Sequence, residues 1–389
     1  MFSFRGVDFI DLDCLLSEEE KLVRRTARQF VDDRVLPVIR ECFREARFPV
    51  DLIPELGELG FLGANLEGYG CAGMEDVEYG LLMQELERGD SGVRSFVSVQ
   101  SALVMWPILE YGSEAQKDRW LPELQAGRKI GCFGLTEPDF GSNPAGMRTQ
   151  AVRDGGSFVL NGEKTWITNG TLADVALVWA RQDEQIRGFL VEKGTPGFKT
   201  TDIHGKWSMR ASVTSSLAFT DCRIPAENAL PGALGLKTAL ACLSQARYGI
   251  GWGCIGAAMD CYETARQYTL LRKQFGDRSL ASHQLVQSEL AWMVTEISKA
   301  QLLAFHSARL KSKGLLKFFH ISMLKRNNAW MALEVARRAR DLLGANGITD
   351  EYPVFRHMSN LETVKTYEGT HNIHTLVMGQ QVTGLPAFS

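Results

Sequence analysis

Apolar and polar positions follow three different rhythms along the 389 residues. In the first third, Leu22, Val23, Ala27, Phe30 and Val31 recur at helical spacing, which predicts an amphipathic helix. Ser17 followed by three glutamates marks its start. A serine hydroxyl accepts a backbone N–H there, an acid three residues on returns the bond, and negative charge suits a helix N-terminus. Pro37 is followed by more helical pattern. Residues 51–62 and 75–89 predict further helices, with the glycine-rich GYGCAGM (68–74) as a loop between them.

From about 131 to 235 the apolar runs shorten, punctuated by glycine and proline. The β-prone runs 157–160 and 164–168 flank Asn161-Gly162, a dipeptide that favours a type I′ turn, so a hairpin is expected there. Residues 176–180, 187–192 and 216–220 predict further strands. After 237, the segments 237–273, 284–312, 317–344 and 360–380 carry helical periodicity, and their length points to a bundle. The expected architecture is α+β: a helical domain over 1–130, a β-domain over 131–236 and a helical bundle over 237–389.

Hydrophobic residues make up 45% and charged residues 23%, the balance of a globular chain able to bury a sizeable core. The net charge of −3 gives no general pull toward nucleic acid. None of the eight cysteines forms a CxxC pair or a Cys/His cluster with zinc spacing, so no metal site is expected and the thiols read as reduced. No 18-residue apolar stretch is evident, and membrane insertion is not expected. The longest apolar-rich region, 248–259, holds four glycines and reads as a buried helix. The opening MFSFRGVDFIDLD matches neither a signal nor a transit peptide, so the expected location is the bacterial cytoplasm, or the mitochondrial matrix for a processed form.

Several short motifs carry candidate chemistry, each with an ordinary structural reading beside it. Gly251-Trp-Gly253-Cys-Ile-Gly256 fits GxGxxG, but it lies inside a helical run with no strand before it, so close helix packing is the better account. FGLTEPDFGS (133–142) is either a surface turn or a loop presenting backbone N–H groups and hydroxyls to a ligand. Trp166-Ile167-Thr168 reads as a core tryptophan, or as an aromatic and a hydroxyl laid against a flat ring. Glu368, in YEGTH (367–371) of the last helical region, is either a solvated helix residue or a general base whose burial raises its pKa. Between Glu85 and Ser95, two glutamates, Asp90 and two arginines make either a salt-bridged helix end or a site where Arg94 grips a substrate carboxylate.

Taken in order, FGLTEP, WIT, the RKQFG at 272–276, LGANGI (343–348) and YEGTH resemble the acyl-CoA dehydrogenase family over about residues 15–388. ELERGDSGVRSFVSVQS (85–101), CFGLTEP, SMRASVTS (208–215), SQARYGI (244–250), LKRNN (324–328) and NLETVKTYEGTH (360–371) are similar to its glutaryl-CoA dehydrogenase branch. That resemblance implies a helical, β and four-helix order, FAD as cofactor, an acyl-CoA substrate, electron-transfer flavoprotein as electron acceptor and a homotetramer. It implies that Phe133, Leu135, Thr136, Gly141, Ser142, Trp166, Ile167, Thr168, Thr370 and Asn372 contact the flavin. Arg272, Gln284, Gly344, Asn346 and Gly347 would bind its adenosine-diphosphate half from a neighbouring subunit. Glu368 would be the catalytic base. Arg94 and Ser95 would bind the distal carboxylate of glutaryl-CoA, while Ser142, Gln245, Arg247 and Gly369 would contact the substrate. Tyr367 and Glu87 match residues of decarboxylating members, which implies conversion of glutaryl-CoA to crotonyl-CoA and carbon dioxide. Asn143 and Asn372 depart from the commoner Asp, and Val93 is smaller than its counterpart in some relatives. The competing readings are a dehydrogenase of another dicarboxylyl or short-chain acyl-CoA that does not decarboxylate, and a flavin-free CoA-binding scaffold.

Overall fold

The structure, a computed structural model, describes residues 6–388. Residues 1–5, part of the stretch read for targeting signals, lie outside it. Seven helices come first: α1 (Glu18–Phe30), α2 (Leu36–Glu45), α3 (Ile53–Glu58), α4 (Asp76–Gly89), α5 (Ser91–Ser98), α6 (Trp106–Tyr111) and α7 (Glu114–Gln125). The start of α1 is capped as its sequence predicts. Ser17 Oγ accepts from Glu20 N at 3.1 Å, and the Glu20 carboxylate accepts from Ser17 N at 2.8 Å.

The run Ser91–Tyr111 stays helical throughout, through a π-helical stretch at Val99–Met105 placed just before the N–H-lacking Pro107. It is long and apolar enough to cross a membrane, which corrects the expectation that no segment reaches that length and hydropathy. Its window is 89% buried inside the protein, as befits a core helix. Gln100 within it makes three side-chain hydrogen bonds to the neighbouring domain junction. Its Nε2 donates to Leu124 O and Lys129 O at 2.9 Å, and its Oε1 accepts from Gly131 N at 2.9 Å, fixing where the sheet begins.

The sheet comprises β1 (Gly131–Gly134), β2 (Gln150–Asp154), β3 (Ser157–Thr168), β4 (Val175–Gln182), β5 (Gln185–Glu192), β6 (Phe198–Asp202), β7 (Thr214–Pro225) and β8 (Ala229–Leu234). Their order is β6-β7-β3-β2-β4-β5-β8, with β1 parallel to β4. The hairpin expected at Asn161-Gly162 does not exist: β3 runs straight through it, with only a register shift against β7. Asn161 spends its side chain across the ladder, accepting from Asp221 N at 2.8 Å and donating to Asp221 Oδ1 at 3.2 Å. The actual turn is one strand earlier, at Gly155-Gly156, where Gly155 takes φ +59°.

The C-terminal helices are α8 (Leu236–Leu271), α9 (Gln284–Lys311), α10 (Phe318–Leu342), α11 (Val354–Thr366) and α12 (His371–Thr383). The single helix expected over 360–380 is therefore two, broken at 367–370. The glycines of the discarded GxGxxG line α8 where it crosses its neighbours. A Cβ on Gly253 would strike the Glu87 carboxylate, and one on Gly256 would strike the Gln84 carbonyl. One apolar core joins α1, α4 and α5 to α8, α9, α10 and α11, so the two helical segments share an interior. A second packs the stretch 99–124 and the start of α8 against one sheet face, and a third covers the other face.

Candidate active site

The site begins at Asp90, where the chain leaves α4 in an extended conformation and enters α5. Asp90 Oδ1 accepts from Gly92 N at 2.7 Å and so caps α5. Its Oδ2 accepts from Arg356 Nη1 at 2.6 Å and Asn360 Nδ2 at 2.9 Å, both on α11. This one carboxylate ties three helix ends together. It thereby sets Glu87, in the last turn of α4, against Arg94, in the first turn of α5.

Glu87 and Arg94 are both fully buried and paired, Nε to Oε2 at 2.7 Å. The other Glu87 oxygen accepts from Ser91 Oγ at 2.9 Å. Arg94 Nη2 donates to the Tyr367 hydroxyl, and Nη1 has no partner. Burial works against the guanidinium's charge, but Glu87, Tyr367 and Glu368 more than offset it and hold Arg94 above its ordinary pKa. The result is a charged fork in a dry setting with one donor still free.

Tyr367 ends α11, and Glu368 follows with φ +50°, then Gly369 with φ +94°. A non-glycine residue in the left-handed region needs outside support, and cations supply it. Arg247 Nε, on α8, donates to Glu368 O at 2.6 Å. Lys325 Nζ, on α10, donates to Tyr367 O at 2.9 Å and Gly369 O at 2.8 Å. The Glu368 residue is half-buried, but its Oε2 is shielded and unpartnered. Burial raises its pKa above that of an ordinary glutamate, against the opposing pull of Arg94, Arg247 and Lys325. A raised carboxyl with a free oxygen, on a loop rather than on the expected helix, has the attributes of a general base.

Inside the sheet, the chain after β1 runs beside β3. Thr165 N donates to Thr136 O at 2.9 Å, and Lys164 Nζ reaches Leu135 O at 3.1 Å and Glu137 Oε1 at 2.8 Å. Burial lowers the Lys164 pKa to about 8 despite Glu137. FGLTEP and WIT are thus side by side. Trp166 departs from the core reading. It sits in a β-bulge with φ +61° and is 62% exposed, while Lys164 and Ile167 on either side point inward. Beyond it, Thr168 pairs with Thr214, Asn169 N donates to Val213 O at 3.1 Å, and Ala211 lies against Gly92 of α5. An exposed indole on a bulged strand, whose partner strand is preceded by the loop that packs on the Arg94 helix, fits a planar ring system.

Glu87, Arg94, Arg247, Tyr367, Glu368, Gly369 and the α12 cap Thr370 come together around this break, while Ser95 is buried next to Arg94 on α5. Phe133, Leu135 and Ile167 are buried in the sheet's packing, Thr136 and Thr168 are half-buried, and Gln245 is half-buried on α8. Gly141, Ser142, Asn143 and Asn372 are exposed. Arg272, Gln284, Gly344, Asn346 and Gly347 do not join the site. They gather at the far end of α8, where Asn346 Nδ2 donates to Tyr268 OH at 3.0 Å. From Arg247 to Arg272 is about 37 Å along a straight helix. Sequence reasoning missed Lys325 and Tyr79, the latter buried, with an unpartnered hydroxyl that feels the charges of Arg94 and Glu368. Their signal was faint: a cation and a phenol at positions whose spacing called for apolar side chains.

Three family models cover the chain in succession: acyl-CoA dehydrogenase N-terminal domain over residues 17–128, middle domain over 132–222 and C-terminal domain over 234–383. The chain belongs to the acyl-CoA dehydrogenase family. Two solved structures of glutaryl-CoA dehydrogenase from Mycobacterium smegmatis, one in complex with FADH2, are 53% and 52% identical to it with a TM-score of 0.98, each matched over 99–100% of both chains. A glutaryl-coenzyme A dehydrogenase solved with glutaryl-CoA is 31% identical, with a TM-score of 0.91, over 96% of this chain and 97% of that one. The short-chain specific acyl-CoA dehydrogenase of Clostridium acetobutylicum is 35% identical over 95% of this chain and its own full length. Acyl-CoA dehydrogenase activity goes with this membership, and the helical, β, helical order matches it.

Proposed function

We propose that this acyl-CoA dehydrogenase oxidises glutaryl-CoA and decarboxylates the product to crotonyl-CoA, with Glu368 as base and Arg94 as the carboxylate anchor. The observation that carries this reading is the buried Arg94 fork with its free Nη1, whose charge and geometry an acidic acyl tail would match best. A butyryl chain would leave that donor unpaired in a dry pocket. The 35% identity to a short-chain specific enzyme makes butyryl-CoA the substrate to test against.

The cofactor is FAD, which when bound supplies the two-electron acceptor for the bond being desaturated. Glu368 Oε2 takes the proton α to the thioester. The exposed Trp166 face and the Thr168 hydroxyl would hold its ring system beside the β3 bulge. Arg94, fixed by Glu87 and Tyr367, would hold the distal carboxylate and so orient the acyl chain toward Glu368. The C–C bond to that carboxylate then breaks, its electron pair passing into a dienolate, and the proton held by Glu368 returns to the γ-carbon. Glu87 helps this step. A guanidinium already neutralised by a carboxylate grips a second one less tightly, so release of carbon dioxide costs less.

Electrons leave to electron-transfer flavoprotein, and the working particle is a homotetramer. Exposed apolar side chains at the far end of α8, Leu271, Phe275 and Leu285, support assembly there. Light scattering is expected to give four times the 43.3 kDa chain mass.

The test is an anaerobic mix of the FAD-loaded enzyme with glutaryl-CoA or butyryl-CoA. Flavin bleaching is followed by absorbance and the product identified by mass. Bleaching by glutaryl-CoA with crotonyl-CoA as product is expected. Accumulated glutaconyl-CoA would remove decarboxylation, and faster bleaching by butyryl-CoA would remove the anchor role of Arg94.

A further inference from the structure

The buried ammonium of Lys325 plays no part in the chemistry above, yet it faces the catalytic turn. We infer that Lys325 is a positioning residue that clamps the Tyr367–Gly369 turn and so holds the Glu368 carboxylate in its reactive aim. This rests on the reading of Glu368 as the base.

Three observations carry it. First, Lys325 is 1% exposed and donates to Tyr367 O and Gly369 O, the two carbonyls flanking Glu368, with a longer contact to Lys365 O at 3.5 Å. Three acceptors match the three protons of an ammonium, and a neutral amine has only two to give. Second, the turn it holds is one the chain resists: φ is +50° at Glu368, whose Cβ makes that region costly. Third, its anchor is rigid. Lys325 stands in the middle of α10, between Leu324, which packs against Gly251, and Asn328, which donates to Gly251 O at 2.7 Å. The clamp thereby references the base to α8, the same helix whose Arg247 holds the Glu368 carbonyl.

The titratable groups around Lys325 are Arg247 and the Cys254 thiol from α8, Arg94 from α5, Glu368 from the turn itself, and His371 and His374 from α12, both of whose pKa values are lowered in part by Lys325. Burial lowers its pKa to about 7, with Cys254 and Glu368 pulling upward and the two arginines downward. The ammonium in turn lowers the Glu368 pKa. Removing it therefore raises the acidity limit of the base while loosening the turn.

The test uses full-length, FAD-loaded Lys325→Met, which fills the space without donors or charge, and Lys325→Gln, which keeps two N–H donors without charge. Three readouts are taken: kcat and KM, the acidic limb of the kcat profile, and amide hydrogen exchange over 366–372. Expected for Lys325→Met is a kcat loss of tenfold or more with KM changed less than threefold. Its acidic limb should move at least half a pH unit upward, and exchange in the turn should speed tenfold. Lys325→Gln should recover part of the kcat and exchange protection but keep the shifted limb. Native-like kcat and exchange in folded Lys325→Met would overturn the inference. So would a kcat loss matched by lost flavin sites with the limb unmoved, or failure of both variants to fold, which would make Lys325 a requirement of the fold. A parallel Glu368→Gln enzyme keeps the two readings apart. If it still turns over, the base assignment falls. If it is inactive while Lys325→Met is native-like, only the clamp does.

Discussion

At the scale of single residues, the site depends on buried charges that satisfy one another incompletely. Glu87 is the counter-ion that makes Arg94 tolerable in the dark of the protein. Glu87→Leu leaves that guanidinium buried and uncompensated, which costs about 3–5 kcal/mol. Urea unfolding should show that loss, and glutaryl-CoA should restore more of it than butyryl-CoA does. Glu368 predicts a pH effect whose sign follows from burial. Its pKa is raised and only the carboxylate removes a proton, so turnover should fall as pH drops through a value above the ordinary 4.5 of glutamate. A kcat profile with its acidic limb at or below 4.5 would count against the base. The residues of the site were legible in sequence chiefly through the family resemblance: motif by motif the chemistry left an ordinary reading open, while the order of motifs singled out Arg94, Glu87, Tyr367 and Glu368, which lie together. Lys325 was not, since a lysine between leucine and arginine looks like any helix lysine until its three carbonyl acceptors are seen.

At the scale of elements, errors arose where a side chain replaced a backbone bond. Asn161-Gly162 has the composition of a hairpin turn, but the Asn161 amide bonds across to Asp221 and lets β3 continue. The periodicity over 360–380 reads through YEGT because the residues on either side keep helical spacing. Thr370 nonetheless caps a new helix by accepting from Ile373 N at 3.1 Å, and the base sits in the gap. Capping at Ser17 was predictable because both partners are local; the Asp90 junction was not, because its partners lie some 270 residues away. That junction makes a testable demand. Asp90→Ala removes the cap of α5 and strands Arg356, so the enzyme should lose at least about 3 kcal/mol of stability. A larger loss of kcat than of flavin content, measured on the folded fraction, would show Arg94 and Tyr367 no longer in register.

At the scale of the whole molecule, the helical, β, helical order was readable from the change of rhythm along the chain. What rhythm does not reveal is that the first and last segments share one interior, since periodicity gives the buried face of a helix and never its partner. Leu82 and Leu86 of α4 lie in the same core as Leu324 and Leu333 of α10. The membrane-length hydropathy of Ser91–Tyr111 has the same explanation: a helix surrounded by protein on all sides needs no polar face.

This shared interior has a consequence for the chain's birth on the ribosome. The apolar faces of α4 and α5 emerge some 200 residues before the helices that cover them. At about 5–20 residues per second this leaves them open to solvent for roughly 10–40 s. The newborn chain then carries an exposed apolar segment that a chaperone would be expected to cover until the C-terminal half arrives. A fragment ending before α8, residues 1–235, should accordingly precipitate or bind chaperones when expressed alone, and should regain solubility when 236–389 is co-expressed. Recovery of a monomeric, cooperatively melting 1–235 fragment would show instead that the two sheet-facing cores suffice.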